Sequence, residues 1–166
     1  MKQFMKIAAI GAMAGVITGA ATAGELALGC YERDYSATHL TRHRLQVVDR
    51  IVLRIFEQQG AGKFASMWVK TANQGHVAAS GHGGQRFSQF LLCWSDNGVN
   101  ACSVECDGGR MQVTKQDAKS LTFRTKYLLV GNTEECGGPV DLAEVQNQPV
   151  SYRLNRVSDA VCAAEN

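Results

Sequence analysis

This sequence is short of proline, of net charge beyond its first segment, and of the catalytic signatures a local pattern can reveal. Two prolines in 166 residues exclude a proline-rich linker architecture and suit long strands joined by few stiff loops. The charge excess is small and unevenly placed. Of 17 Lys+Arg against 15 Asp+Glu, Lys2 and Lys6 lie in an N-terminal segment expected to be removed, and every acidic residue lies beyond it. The remainder is formally neutral and has no electrostatic footprint for nucleic acid or anionic lipid. There is no G-x-S-x-G, since Ser80 stands in Ala78-Ala79-Ser80-Gly81-His82, and no H-E-x-x-H. Gly60-Ala61-Gly62-Lys63-Phe64 lacks the length and the hydroxyl residue of a phosphate loop. These absences favour a binding protein over an enzyme, with no cofactor expected. Hydrophobic residues at 45% beside charged residues at 19% also exclude a disordered chain and a multi-span membrane protein.

What is present begins with an export signal. Residues 1–23 combine the positive start Lys2/Lys6, the apolar run 7–17 and the small-residue site Ala21-Thr22-Ala23. The apolar run is interrupted by glycine and has no stop-transfer charges after it, so a retained membrane helix is disfavoured. Cleavage after Ala23 leaves a single β domain, 24–166, periplasmic or secreted, with no membrane insertion. All six cysteines (Cys30, Cys93, Cys102, Cys106, Cys136, Cys162) fall in that part. An even count in a small exported domain reads as disulfides rather than a metal site.

Residues 84–130 read as an antiparallel meander. Asn97-Gly98 is a strong two-residue hairpin signal. With those two as the loop, Cys93 faces Cys102 in a non-hydrogen-bonded pair, whose Cα atoms lie roughly 4.5 Å apart, close enough for a disulfide. A second hairpin centred on Gly108-Gly109 would set Val104 opposite Val113 and Cys106 opposite Met111. A third turn around Gln116-Asp117-Ala118 would bring Val113 opposite Leu121 and Met111 opposite Phe123. Together these registers put Leu91, Cys93, Cys102, Val104, Cys106, Met111, Val113, Leu121, Phe123, Tyr127 and Leu129 on one face. A strand also excludes Cys102–Cys106, because four residues of extended chain exceed disulfide reach. With Cys93–Cys102 formed, Cys106 on the core face meets Cys136 from the acidic 132–138 loop, and Cys30 pairs with Cys162.

Segment 41–57 fits a helix capped by Thr41, but its β-branched run Val47, Val48, Ile51, Val52, Ile55 favours a strand. Alternation then sets Leu45, Val47, Ile51, Leu53 and Ile55 against Gln46, Arg50 and Arg54, with Asp49 a misfit. Phe64–Thr71 and Ser151–Val157 are further strands, 60–63 a turn and Gly75–Gln85 a mobile loop. Seven or eight strands at meander spacing define an all-β, disulfide-stabilised fold, a small barrel or sandwich.

Three features are candidates for function. Phe90, Leu92 and Trp94 interrupt the polar face of their strand: either another element covers them or they form an exposed binding surface. His39 and His43, one helical turn apart, have metal-ligand spacing, with His76 and His82 as further ligands. Arg42 and Arg44 beside them disfavour a cation. The pairs Arg50/Arg54 and Arg124/Lys126 share strand faces and could form a cationic groove for carboxylates or sugar phosphates, although a solvated, salt-bridged face is the commoner explanation of such pairs.

The pieces "CYERDY…HLTRH", "CSVECDGG" and "SYRLNR…VC" resemble small exported proteins of Gram-negative bacteria over most of the chain beyond residue 23. The resemblance implies a periplasmic setting and carries no activity, cofactor or site. The expectation is a non-catalytic envelope-interaction domain whose partner is an envelope protein or a small ligand. The alternatives are a metal-binding protein using His39 and His43, and an inhibitor of an exported hydrolase.

Overall fold

Alternating apolar and polar residues on the long β-branched segments give strands with one buried and one solvated face. In the computed structural model, which describes residues 24–131 and 137–165, these strands close on themselves. The elements run β1 (Gly29–Asp34), α1 (Ala37–Arg42), β2 (Val48–Gln58), β3 (Gly62–Thr71), α2 (Gly75–Ala79), β4 (Arg86–Asp96), β5 (Val99–Ser103), β6 (Gly109–Gln116), β7 (Ser120–Val130), β8 (Val140–Asp141), β9 (Val150–Val157) and α3 (Asp159–Ala163). Each strand from β1 to β7 pairs antiparallel with the next, and β9 bridges β7 and β1. The result is a closed eight-stranded antiparallel barrel with β8 as a short outlying partner of β7. Closure removes the free sheet edges that invite aggregation.

A barrel of eight strands is just wide enough for its own side chains to fill, and here they do. Tyr31, Ile51, Leu53, Ile55, Met67, Leu91, Met111, Leu121, Phe123, Tyr152 and Leu154 are all buried in one cluster. One end is closed by the chain just before β1. Leu26 enters the core, Asn100 Nδ2 donates to the Gly24 carbonyl at 2.7 Å, and Gln116 both donates to the Glu25 carbonyl and accepts from Ala27 N–H. The other end is closed by Val77 of α2 and by Leu142, both fully buried. On the outside, α3 lies over β1 and β2. Its Cys162 is bonded to Cys30, and together they pack on Val52, Trp68 and Val157. No helix of the described residues is long and apolar enough to cross a membrane. The barrel itself is apolar inside and carries Arg54, Arg124 and Arg153 outside, the reverse of a lipid-facing barrel.

The Asn97-Gly98 hairpin has the register expected of it, with Cys93 opposite Cys102 and a disulfide between them. Both turn residues take positive φ, as this turn requires. Cys30–Cys162 is also present. Cys136, and with it the Cys106–Cys136 pairing, lies outside the described residues, as do segment 1–23 and its cleavage site. The two described bridges are what an oxidising, exported setting sustains.

Several local expectations need correction. Gly108-Gly109 is not the centre of a two-residue turn: Val104 N–H bonds the Gly109 carbonyl, and Cys102 faces Met111. Cys106 therefore sits exposed in a four-residue loop at φ 57° instead of on the core face. The glycines answer a packing demand. A Cβ on Gly108 would lie 2.3 Å from the Val104 side chain, and one on Gly109 2.1 Å from the Tyr127 carbonyl. In β6–β7, Val113 faces Phe123, with Gln116 opposite Leu121. The cause is Asp117, whose Oδ1 accepts from Lys119 and Ser120 N–H at 2.8 Å and fixes a wider turn. Both slips are by an even number of positions, so Val104, Met111, Val113, Leu121 and Phe123 stay inside. A register irregularity between Arg110 and Gln112 then reverses the pattern, so that Leu128 and Val130 point inward while Tyr127 is 39% exposed. Tyr127 and Leu129 are thus not inner-face residues.

Segment 41–57 divides. A short helix capped by Ser36 and not Thr41 ends within the segment's first two residues, and β2 starts at Val48. Leu45 is exposed. Asp49 is accommodated by a bulge between Val48 and Arg50, its carbonyl accepting from Tyr35 N–H and its carboxylate paired with Lys70. Residues 75–79, expected to be loop, form α2, because Val77 anchors that turn in the barrel end.

Candidate functional site

On a barrel wall, residues of alternate parity point outward and line up in rows across neighbouring strands. One row joins Phe56 to Phe64 to Leu92, the next Arg54 to Ser66 to Phe90, and Trp94 lies beyond Leu92 on β4. Phe90 is 46% exposed, Leu92 38% and Trp94 37%. No element of the described chain covers this face, in contrast to the wall beneath α3. The rings of Phe56, Phe64 and Phe90 form a triangle with centroids 5.3 to 6.3 Å apart, within the favourable range for aromatic contact. Val99 extends the apolar surface beside the tip of β4. Beneath it the Cys93–Cys102 bridge ties β4 to β5, so the patch stands on a stiff support.

Phe56 and Phe64 were not singled out from sequence. Phe56 is the lone aromatic of β2 and Phe64 shares β3 only with Trp68, and only the β2–β3–β4 register brings them beside Phe90. Charge flanks the patch on both sides. The Arg54 guanidinium lies 5.4 Å from the Phe56 ring centroid. On the other side the rows continue from Leu92 through Ser103 to Arg110, and from Trp94 through Ala101 and Gln112 to Arg124. Arg110 is two strands from Leu92, about 10 Å at ordinary strand spacing. Arg110, Arg124 and Lys126 line a groove of about 500 Å³ with Gln112 and Tyr127. Among the described residues none of Arg54, Arg110, Arg124 and Lys126 is ion-paired, whereas Arg50 is held by Glu32 and Glu165. A small net charge of +2 therefore conceals segregated charge, and the expected Arg50/Arg54 pair divides into one structural and one free cation.

The histidines separate. His39 and His43 stack with centroids 4.2 Å apart, and Tyr35 packs on His39. His76 Nε2 is hydrogen-bonded to the Ala143 carbonyl, and His82 sits edge-on to Phe87. Among the described residues no three His, Cys, Asp or Glu side chains are grouped so as to hold a metal.

No family model, no curated protein and no solved structure matches the chain.

Proposed function

We propose that the exported domain is a non-catalytic periplasmic binding module that docks a folded envelope protein on the outer wall of β2–β3–β4. The observation that carries this reading is the uncovered cluster of Phe56, Phe64, Phe90, Leu92 and Trp94 on a barrel whose interior is already filled. Aromatic centres surrounded by polar rims are how protein interfaces concentrate their binding energy. The unpaired cations on both flanks select a partner with an apolar centre and an acidic rim. Stiffness from barrel closure and the Cys93–Cys102 bridge lowers the entropy lost on docking.

The test is paired capture from periplasmic extract on immobilised wild type and on a Phe90→Ser/Trp94→Ser double variant. Wild type is expected to retain an acidic protein that the variant loses, with retention weakening as salt rises. Equal capture by both, or a captured protein without acidic surface, would overturn the reading. Self-association that the double variant abolishes would assign the patch to a second copy of this chain instead.

A further inference from the structure

The opposite end of the barrel carries a second feature, which shares only Tyr127 with the groove flanking the docking face. A cavity of about 710 Å³ opens between α2 and the 141–146 segment, lined also by Leu45 and Tyr127. That volume lies within the range of small-molecule sites. Leu45, Tyr127 and Val145 are 56%, 39% and 46% exposed, so three large apolar side chains meet water around one opening. Tyr127 is there because of the β6–β7 irregularity, which turned it out of the core.

The polar groups of this cavity differ in what they are free to do. His76 is committed to the Ala143 carbonyl at 2.8 Å. Asp141 Oδ1 accepts from Leu128 and Ala143 N–H, both at 3.0 Å. Glu144 is the remaining carboxylate, and no described residue donates a hydrogen bond to it. Burial holds its pKa above the ordinary carboxylate value, while His43 and His39 pull it partly back. The neighbouring Tyr35 and Tyr152 hydroxyls are raised chiefly by their own burial, with Glu144 adding to the effect. No Lys or Arg lines the cavity. An acid half withdrawn from water, without a donor and beside apolar surface, is costly unless a cation meets it.

We infer that this cavity binds a small organic cation: an apolar body seated against Leu45, Tyr127 and Val145, carrying an ammonium head that pairs with Glu144. The shape supplies room for the body, and the unpaired carboxylate supplies the selectivity for charge. The face of Tyr127 offers a second attraction for an ammonium group. An anion of the same shape would meet Glu144 with like charge and lose affinity.

Methyl-detected NMR titration at neutral pH tests this with three probes of nearly the same body: phenethylammonium, phenethyl alcohol and phenylacetate. Phenethylammonium is expected to give saturable shifts at Leu45, Ala143 and Val145 and to bind at least about tenfold more tightly than phenylacetate, a difference of about 1.4 kcal/mol. Glu144→Gln should retain the native spectrum and remove most of the advantage of phenethylammonium over phenethyl alcohol. Ala79→Phe, at an exposed lining position, should weaken all three by filling the opening. Phenylacetate binding as tightly as phenethylammonium to wild type would overturn the inference whether or not the variants fold. So would shifts confined to residues outside the cavity, or none that saturate. Capture of an envelope protein by the Phe90/Trp94 face is unaffected by any of these outcomes.

Discussion

Val52 and Phe56 lie on the same outward row of β2, yet they meet different surroundings. Val52 is fully buried under α3, next to Trp68 and the Cys30–Cys162 bridge. Phe56 lies beside Phe64 and Phe90 on a wall that nothing in the described chain covers. One barrel therefore exposes apolar side chains twice on its outside and supplies a lid for only one of them. The covered face shows what the fold does with an outer apolar strip that needs only stability: it adds a helical turn and pins it covalently. The open face received a disulfide below the surface and cations around it, but no lid. This contrast is the physical ground for reading the open face as an interface rather than as unfinished packing.

Breaking the covered side should have the largest effect. Cys30→Ser with Cys162→Ser opens a link spanning 132 residues, for which the chain-entropy model gives about 4–5 kcal/mol. Urea denaturation should show that loss, together with increased acrylamide quenching of Trp68. Next comes Val52→Ala, where lost burial should lower stability by about 1–3 kcal/mol in the same assay. Phe90→Ser on the open side should move stability by only about 1 kcal/mol or less, although it removes a larger side chain. A loss from Phe90→Ser as large as that from Val52→Ala would erase the distinction between the two faces.

The smallest effect is expected at Glu144 and depends on pH. Its folded pKa is raised, chiefly by burial, so folding opposes its ionisation. That penalty is absent below the unfolded-state value of about 4.3 and appears as pH rises through and beyond it. Glu144→Gln should therefore match wild type in thermal midpoint near pH 3.5 and equal or slightly exceed it at pH 7. A midpoint clearly below wild type at pH 7 would mean that the carboxylate stabilises the fold.

The two faces were unequally legible in the sequence. Ile51, Leu53 and Ile55 declare an inward row by alternation, and Asn97-Gly98 places Cys93 opposite Cys102 because that turn admits few geometries. These signals are local. Phe90, Leu92 and Trp94 were visible as a departure from alternation, but whether anything covered them depended on strands distant in sequence. Phe56 and Phe64 join them only through pairing across β2, β3 and β4. The β5–β6 loop was misread because Gly-Gly satisfies a tight turn as readily as the close approaches to Val104 and Tyr127 that require glycine here. The outward swing of Tyr127 follows from a register irregularity with no local signature. α2 rests on a single anchoring valine, and the isolation of Glu144 appears only once Asp141 and His76 have found their backbone partners.

Site-specific photo-crosslinking in intact cells tests the open face most directly. A benzophenone amino acid at position 90 is compared with the same group at Asn155, an exposed outward position on β9 beside Glu32 of β1. Position 90 should yield one covalent adduct with an exported protein of acidic surface, and position 155 should yield none. Free, uncrosslinked protein at position 90, or the same adduct from both positions, would contradict docking on β2–β3–β4.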